Sequence, residues 1–442
     1  MGTRTLSAAM LAAAVLTVST ACSGGATKPA GEESAVAPLN PEGASGSITV
    51  LTNRTDLVQD GTMKKYAAEF NKTYPDVKVE FEAITDYEGE VKIRMNTENY
   101  GDVLLIPGAV SKADYPNFFA PLGAAADMRS KYLFTGKTEV DGKVYGIGTF
   151  GTASGFVYNK ALWKEAGITE WPTTPEQFLR DLKSVKDKTG AVPYYTNFKD
   201  AWPLSGQWTN GVGTVSCDSQ ALDVLAESDK PWAKGSDLNT LDTLLHDMVA
   251  RKLTEKDPST TNWESSKTLL AKGEIGSMML GSWAVNQMRA AAEDAGKNPD
   301  DIGFMPVPVQ SGGEFCATLV SDYQQAVNIH SDNKEAARVW IDWFTAESGY
   351  SEKEGAVSVL RSAAMPSTLQ DYVDNGVKMV ERSEAKTAEV NEIDEAAEIG
   401  LNTPDYRQKL IDIARGAQDG SLRDYLADLD KRWSEARKNA GS

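Results

Sequence analysis

The groups in this chain best suited to hold a ligand are one tryptophan and one polar tetrad. Each stands where a strand gives way to a turn. Trp283 follows the alternating run EIGSMML and Gly281-Ser282, and opens WAVNQMRAAAEDAG, a helix-like stretch that ends in glycine. In open α/β sheets the ligand crevice lies beyond the carboxyl ends of the strands, so an indole here would face it. The alternative is an indole folded back onto its own helix as core. Gly281 is expected to ease the turn and Ser282 to cap the helix. The tetrad Asn53, Arg54, Thr55 and Asp56 follows the first strand. Arg and Asp offer paired donors and acceptors to vicinal hydroxyls, and charged partners make the stronger hydrogen bonds. A local turn with a surface ion pair is the plainer reading. A pyranose would suit both groups, with its C–H face on an indole and its hydroxyls toward polar side chains.

Other chemistries find little support. The 442 residues include two histidines, His246 and His330, far apart in the chain, which leaves little for a metal centre or histidine catalysis. No H-E-x-x-H, G-x-S-x-G or paired C-x-x-C motif occurs. The run GIGTFG (146–151) matches G-x-G-x-x-G, but a strand-like segment follows it where a nucleotide site needs a helix. KTG, SDN and SEAK occur in the reverse order to the β-lactamase set. With 63 acidic residues, any pair of carboxylates is uninformative as a glycosidase signal. A net charge of -18 argues against nucleic-acid binding. No catalytic residue, cofactor or metal is therefore expected.

The elements that would position these residues read as α/β. SITVLTN is a strand, followed by a helix up to Pro75, the strand VKVEFEAI, a second helix and the short strand DVLLIP. Strands alternating with helices imply a parallel sheet with helical crossovers. TTPEQFLRDLKSVKDKTG carries a Thr cap, proline in the first turn and a closing glycine. Strands are predicted again at GFVYN, EIGSMML, DIGFMPVPV and ATLVSDYQQAVNI, and the chain beyond about 365 reads as mostly helical.

The N-terminus has a basic start at Arg4 and an apolar stretch too short to span a bilayer. It resembles a bacterial lipoprotein signal over residues 1–21, with lipid attachment at Cys22, although Ser19 stands where the pattern usually has leucine. Residues 22–46, poor in large apolar groups, are expected to form a disordered tether. Outside the cytoplasm, Cys217 and Cys316 could bridge or remain buried thiols, and spacing does not decide between these.

Several stretches resemble one family in the same order: ITVLTNRTDL with YAAEFNKTYPDVKVEFEAI, GFVYNKALWKEAGI with PTTPEQFLRDLKSVK, NFKDAWPLSGQW, GEIGSMMLGSWAVNQM and VNIHSDNKEAARVWIDWF. They resemble extracellular solute-binding proteins of the family 1 type, the carbohydrate-binding components of ABC importers, similar to maltose-binding protein. The resemblance implies a periplasmic-binding-protein-like α/β fold. Its two lobes, built from discontinuous segments, are joined by a three-strand hinge, with the ligand in a cleft between them. On this chain it places 47–150 and 314–350 in one lobe and 151–313 and 351–442 in the other. The crossings would fall near 149–153, 311–316 and 345–356. It further implies that Trp283 stacks on sugar, that Trp202 and Trp208 line the cleft, and that Tyr87 is a cleft aromatic. Asp102 and Pro107 would flank the third strand at the cleft edge. Phe150, Tyr323, Arg361 and Ser362 would stand at the crossings. The expected protein is a monomeric, membrane-tethered sugar receptor that delivers its ligand to ABC permease subunits and is not an enzyme. The same fold binding a non-sugar solute and a secreted carbohydrate hydrolase are the alternatives.

Overall fold

The computed structural model describes residues 41–108 and 110–440. The signal segment, Cys22 and most of the expected tether lie outside the described residues. The packed chain begins earlier than expected: Ala44 is already buried in the core and the first strand starts at Gly46.

The first lobe is built on a five-stranded sheet. Gly46–Thr52 pairs in parallel with Val77–Ala83 on one side and with Val103–Leu105 on the other. Gln324–Val327 then runs antiparallel to Val103–Leu105 and to the short strand Ile147–Gly148. Helix Thr62–Thr73 covers this sheet because Met63, Tyr66, Ala67 and Phe70 recur on one face at helical spacing. Phe70 meets Trp340 edge-on at 5.2 Å, which joins this helix to Lys334–Ala346.

The second lobe is organised around Gly151–Asn159, a strand buried along its whole length. Ser277–Gly281, Ile302–Met305 and Glu314–Ser321 all pair with it antiparallel. Lys378–Glu381 adds in parallel to Glu314–Ser321. Helix Pro175–Thr189 has the predicted ends: the Thr174 side chain accepts from Gln177 N, and Gly190 stands at φ 75°. Helices Asp237–Ala250, Thr387–Ala397, Pro404–Ala414 and Leu422–Ala440 surround a second core containing Trp232, Tyr406 and Trp433.

One expected crossing falls elsewhere. The glycines near 311–316 form a hairpin inside the second lobe, with Gln310 opposite Phe315, Ser311 opposite Glu314, and Gly312 and Gly313 both at positive φ. A two-residue hairpin loop needs that backbone conformation as much as a hinge would. Residues 314–321 therefore belong to the second sheet, and the chain crosses at Asp322–Tyr323. The first crossing lies at Thr149–Phe150. The two passages are bonded side by side: Thr149 N donates to Tyr323 O at 2.8 Å and Asp322 N to Phe150 O at 3.0 Å. The third joins them where Gly151 and Val357 exchange both backbone hydrogen bonds.

Cys217 and Cys316 form a disulfide with a Cα–Cα distance of 5.5 Å, tying the loop after residue 214 to the second sheet. The bridge closes a loop of 99 residues, so replacing both cysteines by serine is expected to lower the stability of the fold by about 2–5 kcal/mol. Urea denaturation of the wild type and the double variant measures this, and coincident curves would contradict it.

Candidate functional site

Between the lobes lies a cleft of about 880 Å³. The first lobe contributes the carboxyl end of its first strand through Asn53, Arg54 and Asp56. The crossings contribute Phe150, Asp322, Tyr323, Tyr350 and Glu354. The second lobe contributes Trp202, Gln207, Lys267, Trp283 and the helix that follows Trp283.

Trp283 is half-buried and faces the cleft. Its ring centroid lies 6.0 Å from that of Trp202 with the planes 37° apart, and both rings meet Trp263, at 5.8 Å and 5.1 Å. Two indoles thus face the cleft and the third packs against them. Gly281 has a different role from the one expected. Its φ is not in the left-handed region, and a Cβ there would lie 2.6 Å from the Trp283 ring. The glycine provides clearance for the indole. Nor does Ser282 cap the helix. It is fully buried, accepts from Ala153 N at 3.1 Å and shares a hydrogen bond with Thr152 Oγ1, so it fastens the turn to the central strand.

Arg54 is the polar hub. Nε and Nη2 donate to the two carboxylate oxygens of Asp56 at 3.0 and 2.8 Å, and Nη1 donates to Tyr350 Oη at 2.8 Å and Glu354 Oε2 at 2.9 Å. Four of the five guanidinium N–H groups are thus engaged, leaving one on Nη2 for a ligand. Burial works against the Arg54 charge, but its hydrogen bonds to Asp56 and the negative charges of Glu354 and Asp56 outweigh it and hold the guanidinium further into its protonated range. The same hydrogen bond, more than the Arg54 charge, pulls the Asp56 carboxyl below its usual range.

Asp322 sits where two crossings meet. Burial raises its carboxyl above the ordinary carboxylate value, against the opposing charge of Lys137 and a hydrogen bond from Tyr323 N. A raised native value means that ionisation costs stability as pH climbs past the unfolded value of about 3.9, and the loss is constant above the native value. Asp322→Asn removes that loss. It should raise the melting temperature at pH 7 and leave it unchanged at pH 3, and equal shifts at both pH values would refute the assignment.

Seven of the expected site residues line the cleft: Trp283, Trp202, Asn53, Arg54, Asp56, Phe150 and Tyr323. The others do not. Trp208 has no exposed surface and packs edge-on against Phe156 and Tyr194, because the π-helical turn Pro203–Gln207 aims it inward and leaves Gln207 at the cleft. Tyr87 is buried, its hydroxyl donating to Leu105 O and accepting from Leu105 N, while its ring braces Tyr323 at 6.1 Å. Asp102 precedes its strand and so stands at the end remote from the cleft, accepting from Thr49 N at 2.7 Å and Ser331 Oγ at 2.5 Å. Pro107 is buried beyond the far end of that strand. Thr55 opens a short helix, its N–H donating to Asn53 O. Arg361 lies behind the hinge, bonded to Arg129 O and Glu381, and the adjacent Ser362 is solvent-exposed. Cleft residues absent from the sequence reading include Gln207, Lys267, Gln287, Asp294, Asp322, Tyr350 and Glu354, with Trp263 behind the cleft wall. Asp322 owes its place there to a sheet pairing that the local sequence does not show.

Among the described residues no group of three or more His, Cys, Asp or Glu side chains could hold a metal, and no helix is long and apolar enough to cross a membrane.

Comparison with known proteins agrees with this architecture. Residues 55–350 match the model of the bacterial extracellular solute-binding protein family. The binding protein of an ABC transporter from Bifidobacterium animalis subsp. lactis, solved in complex with mannobiose, is 32% identical. It superposes with a TM-score of 0.81 over 90% of this chain and 96% of its own. A manno-oligosaccharide-specific solute-binding protein from the same organism, in complex with mannotriose, is also 32% identical, with a TM-score of 0.82 over 91% and 97% of the two chains. The multiple sugar-binding protein of Streptococcus mutans is 24% identical over 300 residues, which are 65% of this chain and 68% of that one. With two lobes, three crossings, a cleft at the strand ends and a family match over most of the folded chain, this protein belongs to the bacterial extracellular solute-binding proteins.

Proposed function

We propose that the protein is the extracytoplasmic receptor of an ABC importer, capturing a neutral oligosaccharide, with manno-oligosaccharides the first class to test, and releasing it unchanged to the permease. The observation that carries this reading is the pairing of two cleft-facing indoles on one lobe with the Asn53–Arg54–Asp56 cluster on the other. An indole face receives the C–H surface of a pyranose while polar groups opposite take its hydroxyls. Because the two halves of this site stand on different lobes, a bound sugar favours the conformation in which both touch it. Resemblance to manno-oligosaccharide binders at 32% identity supports the sugar class. Four cleft carboxylates, Asp56, Asp294, Asp322 and Glu354, are accompanied by Arg54, Lys267 and Lys353, which does not favour a polyamine ligand. Attachment to the membrane through a lipid on Cys22 completes the proposal, since two acyl chains anchor stably where one does not.

Titration of the purified protein with mannobiose, mannotriose, maltotriose, chitobiose and raffinose, followed by tryptophan fluorescence, tests the reading. Saturable binding of at least one, with the sugar recovered intact, is the expected result. A folded protein that responds to none of them would refute it.

A further inference from the structure

The helix after Trp283 presents one continuous face to the cleft. Trp283, Asn286, Gln287, Ala290, Ala291 and Asp294 all line it, and their spacing of three and four residues is one side of an α-helix. From Trp283 to Asp294 that side runs about 16 Å at 1.5 Å per residue. The cleft is therefore a trough along the helix rather than a cup around the indoles. Its middle is lined by two alanines, of which Ala290 is exposed, so small side chains keep the floor low beyond Trp283. At its far end stands Asp294, exposed and with no hydrogen-bond or ion-pair partner among the described residues. The last turn carries Glu293 and Asp294 and no basic residue, an arrangement that works against the helix dipole and brings the helix no stability. Gln287, halfway along, likewise has no side-chain partner among the described residues.

We infer that the ligand is an extended oligosaccharide of at least three rings. The first two rest on Trp283 and Trp202, and the third runs over Ala290, with its hydroxyls donating to Gln287 and Asp294. This rests on the sugar-receptor reading above and adds to it the length of the ligand and its direction in the cleft. Ala290 sets that length: a large side chain there blocks the trough beyond the indoles and leaves the first two rings undisturbed.

The test compares mannobiose and mannotriose on the wild type, Ala290→Phe and Asp294→Ala by isothermal titration calorimetry. The wild type should bind the trisaccharide at least about tenfold more tightly, since a further ring with its hydrogen bonds contributes more than about 1.4 kcal/mol. Ala290→Phe should reduce trisaccharide affinity to the disaccharide level while disaccharide affinity stays within about twofold. Asp294→Ala should lower trisaccharide affinity alone. Equal affinities of the wild type for both sugars, or an Ala290→Phe variant that loses both or neither, would overturn the inference and leave the receptor reading standing. A wild type that binds none of the sugars in the wider panel would overturn the receptor reading itself. Asp294→Ala keeps the test independent of how phenylalanine packs at position 290.

Discussion

Trp283→Ala is expected to abolish measurable sugar binding while the protein stays folded. The indole is a half-buried, central side chain of the cleft with a second indole beside it. Truncating such an anchor costs about 2–4 kcal/mol of binding energy, or roughly a 30- to 1000-fold loss of affinity. Stability should change far less. The ring pairs with Trp202 and Trp263, and aromatic pairs contribute about 0.5–1.5 kcal/mol each beyond area burial. That is small beside the 5–15 kcal/mol of an ordinary folded protein. Calorimetric titration together with a thermal melt separates the two effects. Affinity retained within about twofold would show that the ligand does not rest on this indole.

The opposite balance, a large loss of stability with binding lost as a consequence, is expected at Arg407. Arg407 and Asp242 form an ion pair with neither side chain exposed: Nε donates to Asp242 Oδ1 at 3.0 Å. Trp232 Nε1 and the Tyr406 hydroxyl donate to the other oxygen of Asp242. Arg407 Nη1 donates to Leu204 O, Ser205 O and Thr209 Oγ1, and so pins the π-helical segment that aims Trp208 inward and Gln207 toward the cleft. Arg407→Met leaves the Asp242 charge buried without its partner, at about 3–5 kcal/mol. Urea denaturation reads that loss. The freed carbonyls should also loosen the segment carrying Trp202, so sugar affinity falls with stability. In the double variant Asp242→Leu, Arg407→Met no charge is stranded, and most of the stability should return, because replacing a buried pair by apolar groups is often neutral or stabilising. A single variant as stable as the wild type would show that the pair contributes nothing to this lobe.

These two residues show where sequence reading succeeds and where it stops. Trp283 was legible because its position depends on local order: a strand, a glycine, then a helix. Such a residue lands at a strand end whatever the rest of the chain does. Arg407 carried no signal. It is one of several charges on a helix, and its burial depends on Asp242, 165 residues earlier. Trp202 and Trp208 make the same point within one segment. They have the same side chain six residues apart, and a π-helical turn sends one to the cleft and the other into the core.

The glycines confused two structures with one backbone need. Gly312 and Gly313 permit positive φ, and that alone cannot distinguish a hinge from a hairpin. Only the pairing of Glu314–Ser321 with the central strand of the second lobe moves the crossing to Asp322–Tyr323. That pairing also explains why Asp322 was passed over, since its place at the hinge follows from a sheet assignment that no local pattern contains.

By itself, then, the sequence determined the order and type of most elements, the capped helix 175–189, the indole at a strand end and the polar cluster after the first strand, but not that ATLVSDYQQAVNI divides into two strands in different sheets. These follow from periodicity, capping and turn chemistry, which act over a few residues. The tertiary structure alone decided that Cys217 meets Cys316, that Asp102 points away from the cleft, that Arg54 is held by Glu354 and Tyr350, and that the face of helix 284–294 lengthens the cleft into a trough. Each of these joins groups far apart in the chain. Whether such groups meet is set by how whole sheets and helices pack, and local sequence does not encode that distance.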